Sequence, residues 1–154
     1  MLESGLIEIG IVRTPFNTNN LNCLTLEKEP MIVSMRENYD WNNKINSASI
    51  EELKDKPLII YRRFEKLINE TFEKKGLEPK ILCKNDDART TLQWAEAGLG
   101  IAVVPKSALK IIGPSHLIYK ELDAENLITN ICAIWMKDRY ISSSAKNFLD
   151  IFKL

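Results

Sequence analysis

The stretch PLIIYRRFEKLINETFEKKGLEPKILCKNDDARTTLQWAEAGLGIAVVP, residues 57–105, alternates short apolar runs with longer amphipathic segments. Short apolar runs closed by Pro or Gly predict buried strands, and apolar residues recurring every three or four positions predict helices. The predicted elements are strands over 57–61, 79–83 and 100–104 and helices over 64–75 and 87–97. Strands that alternate with helices need right-handed crossovers and a mostly parallel sheet, so the predicted fold class is α/β.

Helix signals in the sequence support this interpretation. The first helix has one apolar face, because its large apolar residues fall at i, i+3, i+4 and i+8. These residues are Phe64, Leu67, Ile68 and Phe72. Gly76 stands where a left-handed residue is expected after the helix, and Gly5 predicts the same kind of ending for a helical turn over residues 1–5.

The flanking sequence predicts further strands and a last helix. The strands are predicted over 7–13, 21–26, 31–35 and 128–136, with a weaker extended segment over 117–122. Pro30 is expected to interrupt the chain between two of them. Ser49 and Glu52 form a capping box, which predicts a short helix. A last helix is capped by the serines at 142–144, and its predicted inner face is Ala145, Phe148, Leu149 and Phe152.

Composition excludes several classes of protein. The 154 residues include 21 basic and 21 acidic side chains, and such a balance disfavours a nucleic-acid-binding domain, which carries a basic excess on one face. The longest uncharged run, 14–26, is too short for a transmembrane helix, and the N-terminus lacks the regions of a signal peptide. Cys23, Cys83 and Cys132 form no metal-binding pattern, so we expect free thiols in the cytoplasm and neither a metal nor a cofactor.

The sequence carries no enzyme signature. His116 is the only histidine, and the serines stand at predicted helix caps. Asp86 and Asp87 could be paired carboxylates, but they precede a helix, where Asp is favoured as a cap. Gly98 and Gly100 resemble part of a glycine-rich phosphate-binding loop, but they connect a predicted helix to a following strand. Phosphate-binding loops connect a strand to a following helix. We therefore expect a protein that is not an enzyme.

Arginines stand at the ends of two predicted strands. Arg13 ends the first strand, and Arg62 and Arg63 end the strand over 57–61. Ligands of α/β sheets bind beyond the carboxyl ends of strands, and arginine binds carboxylates with two parallel hydrogen bonds. Strand ends also lie at the surface, so solvated arginines are the alternative interpretation.

A series of short motifs, taken in order, resembles the regulatory domain of LysR-type transcriptional regulators. The motifs are LxSGxIExGIVR (2–13), LxxEPMIV (26–33), IxxL (50–53) with PLIIY (57–61), GLxP (76–79) and AxAGLGIxxxP (95–105). The resemblance implies the type II periplasmic-binding-protein fold, in which two α/β subdomains enclose a small-molecule effector. Residues 1–31 and 117–154 would form the first subdomain and residues 32–116 the second.

The resemblance also implies a site and partners. The effector would be a small anionic metabolite, a carboxylate, and its binding would control transcription in a bacterial cytoplasm. The implied ligand-binding residues are Arg13, Thr14, Tyr61, Arg62, Arg63 and Phe64. The full-length protein would be a homodimer or tetramer, binding DNA only through a helix-turn-helix domain absent from this chain and not binding membranes. The family's domain begins with a strand, a helix and a second strand that have no counterpart here, so we expect an N-terminally incomplete domain.

Two other functions share the implied fold. A solute-binding protein of a transport system is the first alternative, and a signal peptide encoded upstream would support it. An enzyme related to prephenate dehydratase or porphobilinogen deaminase is the second, but no catalytic constellation of such enzymes is apparent.

Overall fold

A computed structural model describes residues 1–42 and 46–152, and the chain forms two compact units. Unit 1 comprises Met1–Lys28 and Thr129–Leu154, and unit 2 comprises Glu29–Ile128. The strands are β1 (Gly10–Arg13), β2 (Leu21–Met35), β3 (Ser47–Ala48), β4 (Leu58–Tyr61), β5 (Ile81–Asn85), β6 (Ile101–Pro105), β7 (Ile118–Leu122) and β8 (Ile128–Met136). The helices are α1 (Glu65–Glu73), α2 (Ala88–Glu96) and α3 (Ser143–Ile151). No helix in this part of the chain has the length and apolar character needed to cross a bilayer.

Unit 1 is built on the pairing of β1 with β8. The two strands are antiparallel, with Gly10 opposite Ile134 and Arg13 opposite Ile131. Of the strand predicted over 7–13, only the last four residues, Gly10–Arg13, form a strand and pair with β8.

The N-terminal turn of unit 1 ends as predicted. Gly5 has φ +74°, and its N–H donates to the Leu2 carbonyl (3.0 Å) while the Leu6 N–H donates to the Met1 carbonyl (3.1 Å). This is the Schellman arrangement that ends a helix. The Arg139 guanidinium also donates to the carbonyls of Leu2 (2.6 Å) and Glu3 (3.0 Å), in the last turn, where carbonyls lack intrahelical partners.

Helix α3 begins at the predicted serine cap. The Ser142 hydroxyl accepts a hydrogen bond from the Ala145 N–H (3.2 Å). Of the predicted inner face, Ala145 and Leu149 are buried, but Phe148 and Phe152 are 38% and 43% exposed, so half of that prediction is wrong. The two phenylalanines lie one turn apart and pack edge to face on each other, with centroids 5.1 Å apart.

Strand β2 is continuous through Pro30, contrary to the predicted interruption. The ladder between β2 and β6 begins at Met31, which is opposite Pro105. Proline lacks an N–H but has a backbone torsion compatible with a strand, so it is tolerated just before the paired residues.

Unit 2 contains a mixed sheet whose centre is parallel. Strand β4 lies between β5 and β6 and is parallel to both, whereas β2 is antiparallel to β6. These are the four strands expected for the second subdomain, although β5 lies two residues further along the chain than predicted. Residues 117–128 also belong to unit 2, not to unit 1 as expected, because β7 pairs with β2 over Ile32–Met35 and with β3.

Both faces of this sheet are buried, and successive residues contribute to opposite faces. One face packs against α1, and its largest side chains are Met31, Val33, Leu58, Ile60, Phe64, Ile68 and Phe72. The other packs against α2 through Ile32, Ile59, Leu92, Ala95, Ala102 and Val104. Each large side chain removed from water contributes about 1.5–3 kcal/mol, so both helices are held mainly by this packing.

The turn between α2 and β6 brings the backbone close to the start of β4. The Pro57 carbonyl accepts a hydrogen bond from the Ile101 N–H (2.9 Å). A Cβ atom at Gly100 would lie 2.7 Å from that carbonyl oxygen, which is closer than van der Waals contact allows. Gly100 is therefore required for the close approach of these two strands.

We predict that Gly100→Ala lowers the free energy of unfolding by about 1–3 kcal/mol, because the methyl group separates β6 from β4. Chemical denaturation measures this loss. Gly10→Ala is the matched control, since a Cβ at Gly10 has no neighbour closer than 3.5 Å. Equal losses in the two variants would contradict the explanation.

A buried ion pair fixes the segment after β2. The Lys120 ammonium lies 3.1 Å from the Asp40 carboxylate, and these side chains are 4% and 7% exposed. Lys120 also donates to the Asn42 carbonyl (2.6 Å). Burial alone would raise the pKa of Asp40, but hydrogen bonds from the Asn42 N–H and Lys120, together with the lysine charge, leave that pKa below its usual range. Trp41, between the two anchored residues, donates to Glu52 (3.0 Å).

We predict that Lys120→Met destabilises the protein by about 3–5 kcal/mol at neutral pH, because the Asp40 carboxylate stays buried without its cation. Since the pKa of Asp40 is lowered in the folded state, the carboxylate's stabilising contribution is present above the usual Asp range and is lost as the pH falls through the folded pKa. Denaturation at several pH values tests both statements. The exposed Lys54→Met is the control, and adding Asp40→Asn to Lys120→Met should restore part of the loss.

Candidate functional site

The carboxyl ends of the parallel strands form one polar edge of unit 2. Tyr61 and Asn85 are paired at the ends of β4 and β5, and β6 ends nearby at Pro105. The chain then turns through Arg62–Phe64 into α1. In α/β sheets this is the edge where ligands bind, and the start of a helix adds free N–H groups.

An aromatic pair forms the floor of this edge. The rings of Tyr61 and Phe64 pack edge to face, with centroids 5.4 Å apart. Phe64 is 0% exposed and belongs to the core, so it offers no accessible surface to a ligand in this structure. Tyr61 is half-buried and is the member of the pair that reaches the surface.

Charged side chains lie at the same edge. Arg62 Nε is 3.2 Å from the Asp86 carboxylate, and the two side chains are 58% and 84% exposed. An exposed pair of this kind contributes little to stability. Arg63, the next residue along the chain after Arg62, is also exposed. Asn85, which is only 8% exposed, also lies at this edge. Sequence analysis did not identify it as a site residue, because its position at the edge depends on its register with Tyr61.

In unit 1, Arg13 and Thr14 are both bound to β8. Arg13 Nη1 donates to the Thr129 hydroxyl (3.0 Å), and Thr129 is 0% exposed. The Thr14 N–H donates to the Asn130 carbonyl, and the Asn130 N–H donates to the Thr14 hydroxyl, both at 2.9 Å. The buried Asn130 Oδ1 accepts no hydrogen bond from the described residues. Sequence reasoning missed Thr129 and Asn130, since only the pairing of β1 with β8 brings them to Arg13 and Thr14.

The two aspartates have separate structural roles. Asp87 caps α2, where its carboxylate accepts hydrogen bonds from the Thr90 N–H and hydroxyl, both at 2.7 Å. Both hydrogen bonds lower the pKa of Asp87, and the bond from the Thr90 N–H has the larger effect. Asp86 pairs with Arg62 instead, so the interpretation as a helix cap is confirmed for Asp87 and the carboxylates do not act as a pair.

The cysteines form one contact that the sequence did not predict. Burial and a hydrogen bond with the Cys132 thiol raise the pKa of Cys23 to about 11. A thiol with a raised pKa is a poor nucleophile at neutral pH. The described residues contain no group of three or more His, Cys, Asp or Glu side chains that could hold a metal ion.

The two units and the mixed sheet covered by helices agree with the periplasmic-binding-protein-like fold that the resemblance implies, and the similar solved structures described below have this fold. Residues 1–153 match the family model of the LysR substrate binding domain. The chain therefore belongs to the LysR substrate-binding-domain family, and the resemblance found in the sequence is confirmed.

Regulators of Bacillus subtilis (strain 168) are among its relatives. The HTH-type transcriptional regulator BsdA is 24% identical over 160 residues, which cover 99% of this chain and 54% of the relative. The HTH-type transcriptional regulator AlsR is 25% identical, covering 97% of this chain and 50% of the relative. The chain thus spans about half the length of these curated relatives.

Solved structures show the same fold at lower identity. The regulatory domain of Synechocystis PCC6803 CcmR in complex with 2-PG superposes with a TM-score of 0.82 at 19% identity, covering 98% of this chain and 74% of that one. The effector binding domain of QuiR in complex with shikimate gives 0.78 at 21%, covering 97% and 71%. Full-length CbnR complexed with its target DNA gives 0.81 at 20%, covering 99% and 52%.

We predict different effects for Asp87→Ala and Asp86→Ala. Loss of the cap should lower the melting temperature, whereas loss of the exposed partner of Arg62 should leave it nearly unchanged. Because the pKa of Asp87 is lowered, its contribution disappears as the pH falls through the folded pKa, and the Asp87→Ala difference should shrink in acid. Thermal unfolding at neutral and acidic pH checks this. A larger effect of Asp86→Ala would overturn the assignment.

Proposed function

We propose that this chain is the effector-sensing domain of a LysR-type transcriptional regulator and that its effector is a small carboxylate. The family match over residues 1–153 supports a ligand-binding role. The observation that carries the choice of ligand is the position of Arg13, whose guanidinium is oriented by a hydrogen bond to Thr129 at the end of β1. A guanidinium fixed in one orientation is suited to the planar geometry of a carboxylate.

Each unit by itself offers groups suited to an anionic effector. In unit 1, Arg13 binds the carboxylate and Thr14 borders it. In unit 2, Tyr61 presents its accessible ring, and Arg62 and Arg63 raise the positive potential at the strand ends. Phe64, which is fully buried, acts by holding the Tyr61 ring in place.

The rest of the regulator would supply DNA binding. Relatives about twice as long are HTH-type regulators, and the structurally similar full-length CbnR is complexed with its target DNA. We propose that the full-length protein is a cytoplasmic homodimer or tetramer that contacts DNA through its helix-turn-helix domain. Effector binding to the present domain would control that contact.

Arg13→Ala should weaken binding of the carboxylate effector by about 1.5–3 kcal/mol, the value of a hydrogen bond to a charged group. A panel of small carboxylates, screened by thermal shift on a full-length regulator, provides the ligand, and titration calorimetry gives the affinities. A matched panel of neutral amides should produce no shift.

The control is Lys137→Ala, which removes an exposed cation of the same unit. The melting temperatures of the unliganded variants show whether loss of the Thr129 contact has disturbed the fold. Unchanged affinity in a folded Arg13→Ala variant would exclude the role of Arg13. Preference for the neutral amides would exclude a carboxylate effector.

A further inference from the structure

Unit 2 has a cavity of about 600 Å³ at one end of the ladder between β2 and β7. That ladder ends with Met35 opposite Ile118, and the cavity lies beyond this pair. It is lined by residues 36–38, which follow β2, and by residues 115–118, which lead into β7. None of the candidate effector residues lines it, so the cavity is separate from the candidate effector site.

The polar side chains of this cavity are accessible to a ligand. Both segments carry exposed residues whose side chains donate hydrogen bonds, namely Arg36, Asn38, Ser115 and His116. The Ser115 hydroxyl accepts a hydrogen bond from the Leu117 N–H (3.4 Å), which leaves its own hydrogen available to a ligand. The cavity therefore offers donors from two sides to one bound group.

Both segments are held in place by the end of α2. Arg36 lies against Gly98, because a Cβ atom at Gly98 would be 3.6 Å from its Cδ and 3.7 Å from its Nη1. The Tyr39 hydroxyl donates to the Gly98 carbonyl (3.2 Å). The His116 N–H donates to Glu96 Oε1 (3.1 Å). Since both segments are attached to the same helix end, less conformational freedom is lost when a ligand binds between them.

The charges and donors of the cavity favour an anion that also carries hydroxyl groups. The Arg36 guanidinium has a permanent positive charge and five N–H donors. Glu37 is the one carboxylate among the residues that line the cavity, and as an acceptor it suits a hydroxyl group of the ligand. A phosphate monoester has three acceptor oxygens in a tetrahedral arrangement, so it can meet donors from both segments at once, whereas a carboxylate has two in one plane.

We propose that this cavity binds a small phosphate monoester with a hydroxylated body. Arg36 binds two phosphate oxygens with parallel hydrogen bonds, and Ser115 and His116 donate to the phosphate from the other segment. A hydroxyl group of the body donates to Glu37, and the carbon atoms of the body pack on Leu117. The volume of the cavity lies within the range of about 300–1,000 Å³ that is usual for small-molecule sites. This second ligand site is independent of the carboxylate effector.

The test uses the whole chain and three related probes. Glycerol 3-phosphate carries the phosphate monoester and two hydroxyl groups, glycerate carries a carboxylate instead of the phosphate, and glycerol carries no charge. Titration with glycerol 3-phosphate, followed by ¹H–¹⁵N spectra, should shift the amides of Asn38 and His116 to saturation and leave those of Tyr61 and Arg62 unchanged. We expect glycerol 3-phosphate to bind about ten-fold or more tightly than glycerate, and glycerol to give no saturable shift.

Two variants assign the contacts. Arg36→Gln removes the cation, so it should weaken binding of glycerol 3-phosphate about ten-fold or more. Glu37→Gln keeps an acceptor for the hydroxyl group but removes the negative charge, so it should strengthen binding of the phosphate. Arg89→Gln is the matched control, because it removes an exposed arginine of the same unit that does not line the cavity.

The comparison of probes on the unaltered protein does not depend on any variant folding. Equal affinities for glycerol 3-phosphate and glycerate would overturn the proposal, and so would the absence of saturable shifts at Asn38 and His116. Equal losses of affinity in Arg36→Gln and Arg89→Gln would also overturn it, because the phosphate would then be attracted by the overall charge of the unit and not by this cavity.

Discussion

The parallel pairing of β4 with β5 and β6 is the constraint on which unit 2 depends. A strand with neighbours on both edges and helices on both faces has no side exposed to water, so its residues must all be apolar. Leu58, Ile59 and Ile60 are each 0% exposed and point alternately to the α1 side and the α2 side. The crossover helices follow from this arrangement, because parallel strands can be joined only by long connections.

The same constraint decides where polar chemistry can occur. A sheet buried on both faces leaves only the strand ends for charged side chains, and the parallel direction brings several carboxyl ends to one edge. Tyr61 and Asn85 meet there, and Arg62 follows directly. In unit 1, Arg13 is likewise the last residue of a strand. The position of the candidate ligand-binding residues at strand ends therefore follows from how the sheet is covered, not from a separate requirement.

Buried polar groups in unit 2 differ in how completely they are satisfied. Asp40 is paired with Lys120 and accepts a hydrogen bond from the Asn42 N–H, which fixes residues 40–42 after β2. Glu96 has one oxygen engaged with the backbone at His116 and another without a donor among the described residues. A fully satisfied group stabilises the fold, whereas a buried acceptor without a donor costs free energy.

Features with short-range causes could be predicted from the sequence, whereas those that join distant residues could not. The capping box of Ser49 and Glu52 and the cap at Asp87 depend on atoms three residues apart, and they form as predicted. The capping box starts only a single 3-10 turn, Glu51–Leu53, because no apolar stripe follows it. Thr129 comes to Arg13 across 116 positions, and the pairing of β7 with β2 puts residues 117–128 in unit 2. Periodicity and capping indicate which face of an element is buried, but its partner is decided by strand pairing and side-chain packing, which form only when the whole domain folds.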